Sequence, residues 1–164
     1  MPEAILEPDL PIIDPHHHLW DRRPVMHLIP KPEHPFEHIS YRKGHYLLDQ
    51  LLEDTGSGHN IAATVYLECR SMYRADGPVE MRPVGEIEFA NGMAAMSASG
   101  LFGPCRIAAA IVSHANLSAG DAIAEVLDQQ IAGFEGVDWP GLGAANPEQA
   151  RALWGQYQQA RQLR

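Results

Sequence analysis

The chain has 164 residues, 45% hydrophobic and 20% charged, the composition of one globular domain rather than of a disordered segment. Its formal net charge of -9, with no basic run longer than Arg22-Arg23, argues against nucleic acid and anionic membrane surfaces as partners. No apolar stretch reaches the length of a membrane span, and the N-terminus from Met1 to Glu7 is acidic rather than basic-then-apolar, so the expected location is the cytoplasm.

The first predicted element is a strand over Ile12 to His18, from the apolar Ile12-Ile13 into Asp14-Pro15-His16-His17-His18. Side chains alternate along a strand, so Asp14, His16 and His18 point one way and His17 the other. Two imidazoles at i and i+2 on one face are placed to share a divalent ion, since neutral imidazole suits zinc, iron or nickel. The plainer alternative is a surface cluster of histidines without a ligand.

Pro24 to Ser40 carries four prolines and reads as a long loop without helix. Its His27, His34 and His38 would line a site or, more simply, be solvated. Gly44 to Glu53 is a predicted helix, with Tyr46, Leu47, Leu48, Leu51 and Leu52 at helical spacing, and Gly56-Ser57-Gly58 stops it. Ile61 to Glu68 is a second strand, apolar without interruption, as in a parallel sheet buried on both faces. Val79 to Ser99 is a long helix with a partly polar face, on which Glu86 and Glu88 are solvated or bonded to the adjoining loop. Arg106 to Ser113 is a third strand, Ala119 to Ile131 a third helix, and Phe134 to Val137 the start of a fourth strand. Asn146-Pro147-Glu148-Gln149 opens a last helix, with Leu153, Trp154 and Tyr157 along one face.

Strand-helix alternation of this kind predicts an α/β fold with parallel strands, open or closed into a barrel. His16, His18, Glu68 and His114 then stand near strand ends on one rim. Glu68 closes an apolar strand and needs a partner. Either it pairs with Arg70 or the two bind substrate, and His114 is likewise a loop-bonded histidine or a substrate contact. Arg74 and Asp76 fit a surface turn better than an anion site. Trp20 and Lys43 have no assignable role. Cys69 and Cys105, the only cysteines, fall at opposite ends of the sheet, roughly 20 Å or more apart, too far for a disulfide, and are expected as reduced thiols.

The stretch Ile13-Asp14-Pro15-His16-His17-His18-Leu19-Trp20-Asp21 resembles the entry strand of the amidohydrolase superfamily, in the amidohydrolase-related branch that contains sugar-lactone and dicarboxylate-lactone hydrolases. Val65-Tyr66-Leu67-Glu68-Cys69-Arg70-Ser71-Met72-Tyr73-Arg74-Ala75-Asp76-Gly77-Pro78, Pro83 to Phe89, and Ile111-Val112-Ser113-His114-Ala115 extend the resemblance, which runs from about residue 11 to about residue 137. It implies a (β/α)8 TIM barrel of which residues 1–137 are three to four N-terminal units, with 138–164 a divergent link and helix. It implies a hydrolase of a lactone or similar small carbonyl substrate, with His16 and His18 as metal ligands, zinc first among the candidates. Glu68, Arg70 and His114 become substrate-binding residues. In metal-dependent relatives the ion polarises a carbonyl and activates water; some lactonases of the branch work without metal. A decarboxylase of the same branch is the alternative.

An eight-fold barrel takes about 250 residues, and no histidine follows His114, so the downstream ligands of the family have no counterpart. The expectation is therefore a truncated or frameshifted product, or the N-terminal piece of a longer chain, inactive alone. It would self-associate through uncovered strand edges, or be a folded remnant without chemistry.

Overall fold

The computed structural model describes residues 4–31, 33–34 and 43–133. The expected fourth strand, the final helix and His38 lie outside the described residues. In chain order the elements are β1 (Ile12–His17), β2 (Trp20–Asp21), β3 (His45–Tyr46), α1 (Leu48–Thr55), β4 (Ile61–Leu67), α2 (Val84–Ala98), β5 (Arg106–Val112) and α3 (Ile123–Ala132). Short 3-10 turns cover Arg23–Leu28, Val79–Met81 and Leu117–Ala122.

The three apolar runs form one parallel sheet in the order β1-β4-β5. This is a mixed α/β arrangement, as the strand-helix alternation requires. One face is covered: Leu19, Tyr66 and Ile107 are fully buried against Leu48 and Leu51 of α1 and Ala90 and Ala94 of α2. The two alanines let the helix backbone approach the sheet closely. Each large side chain buried there stabilises by about 1.5–3 kcal/mol. Among the described residues the other face is open, with Ile13 56% and Val112 51% exposed.

Ser97 ties α2 to β5. Its hydroxyl donates to the Cys105 carbonyl (2.7 Å) and accepts from the Ile107 amide (3.0 Å). β5 then kinks at Ala108, whose φ of 50° is left-handed, at a cost of roughly 1–2 kcal/mol. The Ala108 amide leaves the ladder and donates to Thr64 Oγ1 (3.0 Å), and the register with β4 slips between Ala63 and Val65. This is a bulge, compensated by a buried threonine.

Four expectations about these elements change. Helix was expected from Gly44, but His45–Tyr46 is a short strand antiparallel to Trp20–Asp21. Trp20 stacks on Tyr46 (centroids 5.3 Å apart) and its indole N–H donates to the Lys43 carbonyl (2.8 Å). A cross-strand aromatic pair there outweighs helical spacing. α1 therefore starts at Leu48, after Gln50 Oε1 accepts the Leu47 amide (2.9 Å). The prolines after β2 do not exclude helix altogether, because Pro24 falls in the first turn of Arg23–Leu28, where no amide donor is needed. The long helix expected from Val79 is a 3-10 turn followed by α2, divided at Pro83. Likewise Leu117–Ala122, capped by Asn116, precedes α3.

Candidate functional site at the C-terminal rim

After an irregularity in its register with β4 between Asp14 and His17, β1 delivers its three histidines alternately to the two faces. His16 and His18 stand on the open face, edge to face, with Nε2 atoms 3.1 Å apart. His17 points into the covered face, 6% exposed, against the Tyr66 ring (centroids 5.6 Å). Neither of its ring nitrogens makes a well-formed hydrogen bond. Burial holds its pKa down at about 4, against an opposing backbone contact from Val65.

His18 is fixed across the sheet. Its Nδ1–H donates to the Leu67 carbonyl of β4 (2.9 Å). A carbonyl only accepts, so neutral His18 carries its lone pair on Nε2, toward His16. The Asp14 carboxylate accepts the His16 amide (3.1 Å) and steadies the preceding turn of chain. A ring nitrogen tied to a backbone carbonyl, leaving the other as donor atom, is the usual outer support of a metal-bound histidine. Two nitrogens at about 2.05 Å from a tetrahedral zinc stand about 3.3 Å apart. The observed 3.1 Å fits two positions of such a site. Among the described residues, no group of three His, Cys, Asp or Glu side chains is placed to hold a metal.

Glu68 and Arg70 follow directly from the strand that holds His18. The Glu68 amide continues the ladder to the Val112 carbonyl (2.9 Å), and its side chain is half-buried. Arg23–Asp21 and Arg74–Glu88 are ion pairs; Glu68 and Arg70 do not form one with each other. Arg70 is exposed with a φ of 61°. His114 is exposed at the end of β5; its carbonyl accepts from the buried Gln130 amide (2.7 Å), which anchors its backbone and leaves the ring outside. The structure thus joins His16 to His18, sets Glu68 and Arg70 just past the end of β4, and gives His114 no contact with the pair. His27 lies exposed in the first 3-10 turn.

Sequence reasoning did not place Glu86 at the site. It is 2% exposed, and its Oε1 accepts the Tyr66 hydroxyl (2.9 Å) and the amides of Cys69 (2.8 Å) and Ser71 (3.0 Å). Of the two readings offered for it, solvated or bonded to the loop, the second holds. Burial, then the neighbouring Cys69 and Glu86, push the Tyr66 hydroxyl well above its ordinary range. Burial likewise holds the Cys69 thiol up at about 11, which leaves it a poor nucleophile. Both cysteines are free thiols, as expected. Glu88 is the exposed partner of Arg74.

A cavity of about 280 Å³ lies between Thr55, His59, Ile61, Phe102 and Cys105. Ile61 opens β4 and Leu67 ends it, so the cavity sits at the other end of the sheet, about 20 Å along the strand from the histidine pair. No helix among the described residues is long and apolar enough to cross a membrane. Compared with known proteins, the chain matches no family model, no curated protein and no solved structure.

Proposed function

We propose that the chain carries the strand-one half of the metal site of an amidohydrolase-related hydrolase acting on a lactone or similar small carbonyl compound. On this reading β1, β4 and β5 are consecutive strands of a (β/α)8 barrel and their open face is its interior. One observation carries the proposal: two imidazole nitrogens 3.1 Å apart at the C-terminal end of a parallel strand, one ring held in register by the Leu67 carbonyl. Catalytic groups of barrels gather at that end. A bound divalent ion supplies Lewis-acid polarisation of a substrate carbonyl. His16 and His18 are its ligands, and the Leu67 carbonyl sets the tautomer that makes His18 a donor. Glu68 and Arg70, on the adjoining loop, and His114, just past the end of β5, are the proposed substrate contacts.

Calorimetric titration with zinc tests the reading. The wild-type chain is expected to bind one zinc, and the His16→Ala/His18→Ala double variant to bind it at least about tenfold more weakly. Equal affinity in the two proteins removes the metal site. A sugar lactone should then bind the zinc-loaded chain more tightly than the zinc-free chain; equal binding argues against a carbonyl substrate at the ion.

A further inference from the structure

We infer that Glu86 is a positioning residue: from inside the fold it sets the backbone between β4 and α2, and so fixes where Glu68 and Arg70 stand beside the histidine pair. That this rim is the site rests on the function proposed above; that Glu86 shapes the rim does not.

Two of the three donors to Glu86 Oε1 are the backbone amides on either side of Arg70, those of Cys69 and Ser71. Between and beyond them, Arg70 and Met72 have φ of 61° and 55°. Two side-chain-bearing residues in the left-handed region within three positions persist only where their surroundings over-determine them. Glu86 is one such constraint. Gly85 is another: a Cβ there would meet the Met72 carbonyl oxygen at 2.5 Å and the Arg74 amide at 2.8 Å. The loop therefore lies directly on the first turn of α2, seated on the missing side chain of one residue and the carboxylate of the next.

The third donor, the Tyr66 hydroxyl, links this seat to the sheet. Tyr66 is fully buried on β4 and packs against His17, the β1 residue between the two rim histidines. A buried run of contacts, His17 to Tyr66 to Glu86 to the Cys69–Ser71 amides, thus passes beneath the rim. A carboxylate taken out of water is costly unless it is well bonded, and every hydrogen bond described for Glu86 is spent on the strand and loop that carry Glu68 and Arg70.

The cysteines provide the test, without metal or substrate. Cys69 lies in the seated loop, its Sγ near the Tyr66 hydroxyl (3.7 Å) and the Leu19 carbonyl (3.6 Å), whereas Cys105 is buried before β5. Labelling of the native full chain with N-ethylmaleimide, read by mass spectrometry, follows both. Glu86→Ala is expected to speed labelling of Cys69 at least about tenfold while Cys105 stays within about twofold, since only the loop opens. Glu86→Gln keeps an acceptor oxygen and should return Cys69 to within about threefold of the wild-type rate. Equal acceleration at both cysteines, or none at Cys69, overturns the inference. Should Glu86→Ala fail to fold, hydrogen exchange of the wild type decides. The Cys69 and Ser71 amides should exchange about as slowly as those of β4, and exchange at the rate of an unstructured loop refutes the seat.

Discussion

Three consecutive histidines meet two different environments. His17 lies on the covered face of the sheet, 6% exposed and without a well-formed hydrogen bond, beside a fully buried tyrosine. His16 and His18 lie on the open face, in contact with each other and, through His18, with a backbone carbonyl. Residue type is the same in all three; only the parity of the strand differs. The comparison separates two uses of imidazole. On one face it is a buried aromatic ring whose polar atoms are a burden. On the other its polar atoms are the point, and their orientation is supported from the neighbouring strand.

The widest separation of the two faces is expected from charge. Ile107 is fully buried on the covered face of β5, whereas Val112 on the open face is 51% exposed. Ile107→Asp loses apolar burial and strands a carboxylate, so it should cost about 4 kcal/mol or more, enough to unfold many domains. Val112→Asp should change stability by no more than about 0.5 kcal/mol. It should also weaken self-association, because the open face and the outer edges of β1 and β5 are the surfaces on which copies would meet. Urea titration and sedimentation at several concentrations read the two effects. A Val112→Asp variant as unstable as Ile107→Asp would show that the open face is covered.

A smaller effect is expected from protons. The folded pKa of His17 is about 4 and its ordinary value 6.5. Between those values the unfolded chain binds a proton that the folded chain does not, so stability falls as pH drops from about 6.5 to about 4 and levels off below. The full span amounts to about 3 kcal/mol. Carboxylates add their own acid dependence; Asp21, held at about 2 by the Arg23 guanidinium, is one. Comparing urea midpoints of wild type and His17→Leu at pH 7 and pH 4.5 isolates the histidine. Identical pH slopes in the two proteins would show that His17 is not buried neutral.

The legible part of this fold was what depends on period and on unbroken apolar runs. The three parallel strands, and the split of His17 from His16 and His18, follow from alternation and from runs such as Ile61 to Leu67. What escaped depends on contacts between distant segments. The β3 strand at His45–Tyr46 exists because Trp20, more than twenty residues earlier, pairs with it. The bulge at Ala108 exists because Thr64 takes up its amide. The seat of the loop depends on Glu86, an acid at the start of a helix, a position where glutamate is ordinarily a solvated partner of the helix dipole. Gly85-Glu86 after Pro83 held the one available signal, a residue without side chain beside an acid where the helix meets the preceding loop.

The finest discrimination between the two faces replaces histidine by a residue of similar bulk without polar atoms. At pH 7 His17 is neutral, and folding strips both ring nitrogens of water without supplying well-formed partners. That desolvation costs about 1–3 kcal/mol. His17→Leu removes it, and forfeits an edge-to-face contact with Tyr66 worth about 0.5–1.5 kcal/mol. The balance is a gain of about 1 kcal/mol, seen as a higher urea midpoint with unchanged slope. On the open face the same substitution has nothing to relieve at His16, whose ring is already in solvent, and should leave stability within about 0.5 kcal/mol. At His18 it breaks the bond to the Leu67 carbonyl and should cost about 1 kcal/mol. The three adjacent positions should therefore respond with three different signs: zero, gain and loss. A loss at His17 instead of a gain would mean that its ring holds a hydrogen bond on the covered face, and that the two faces use histidine alike.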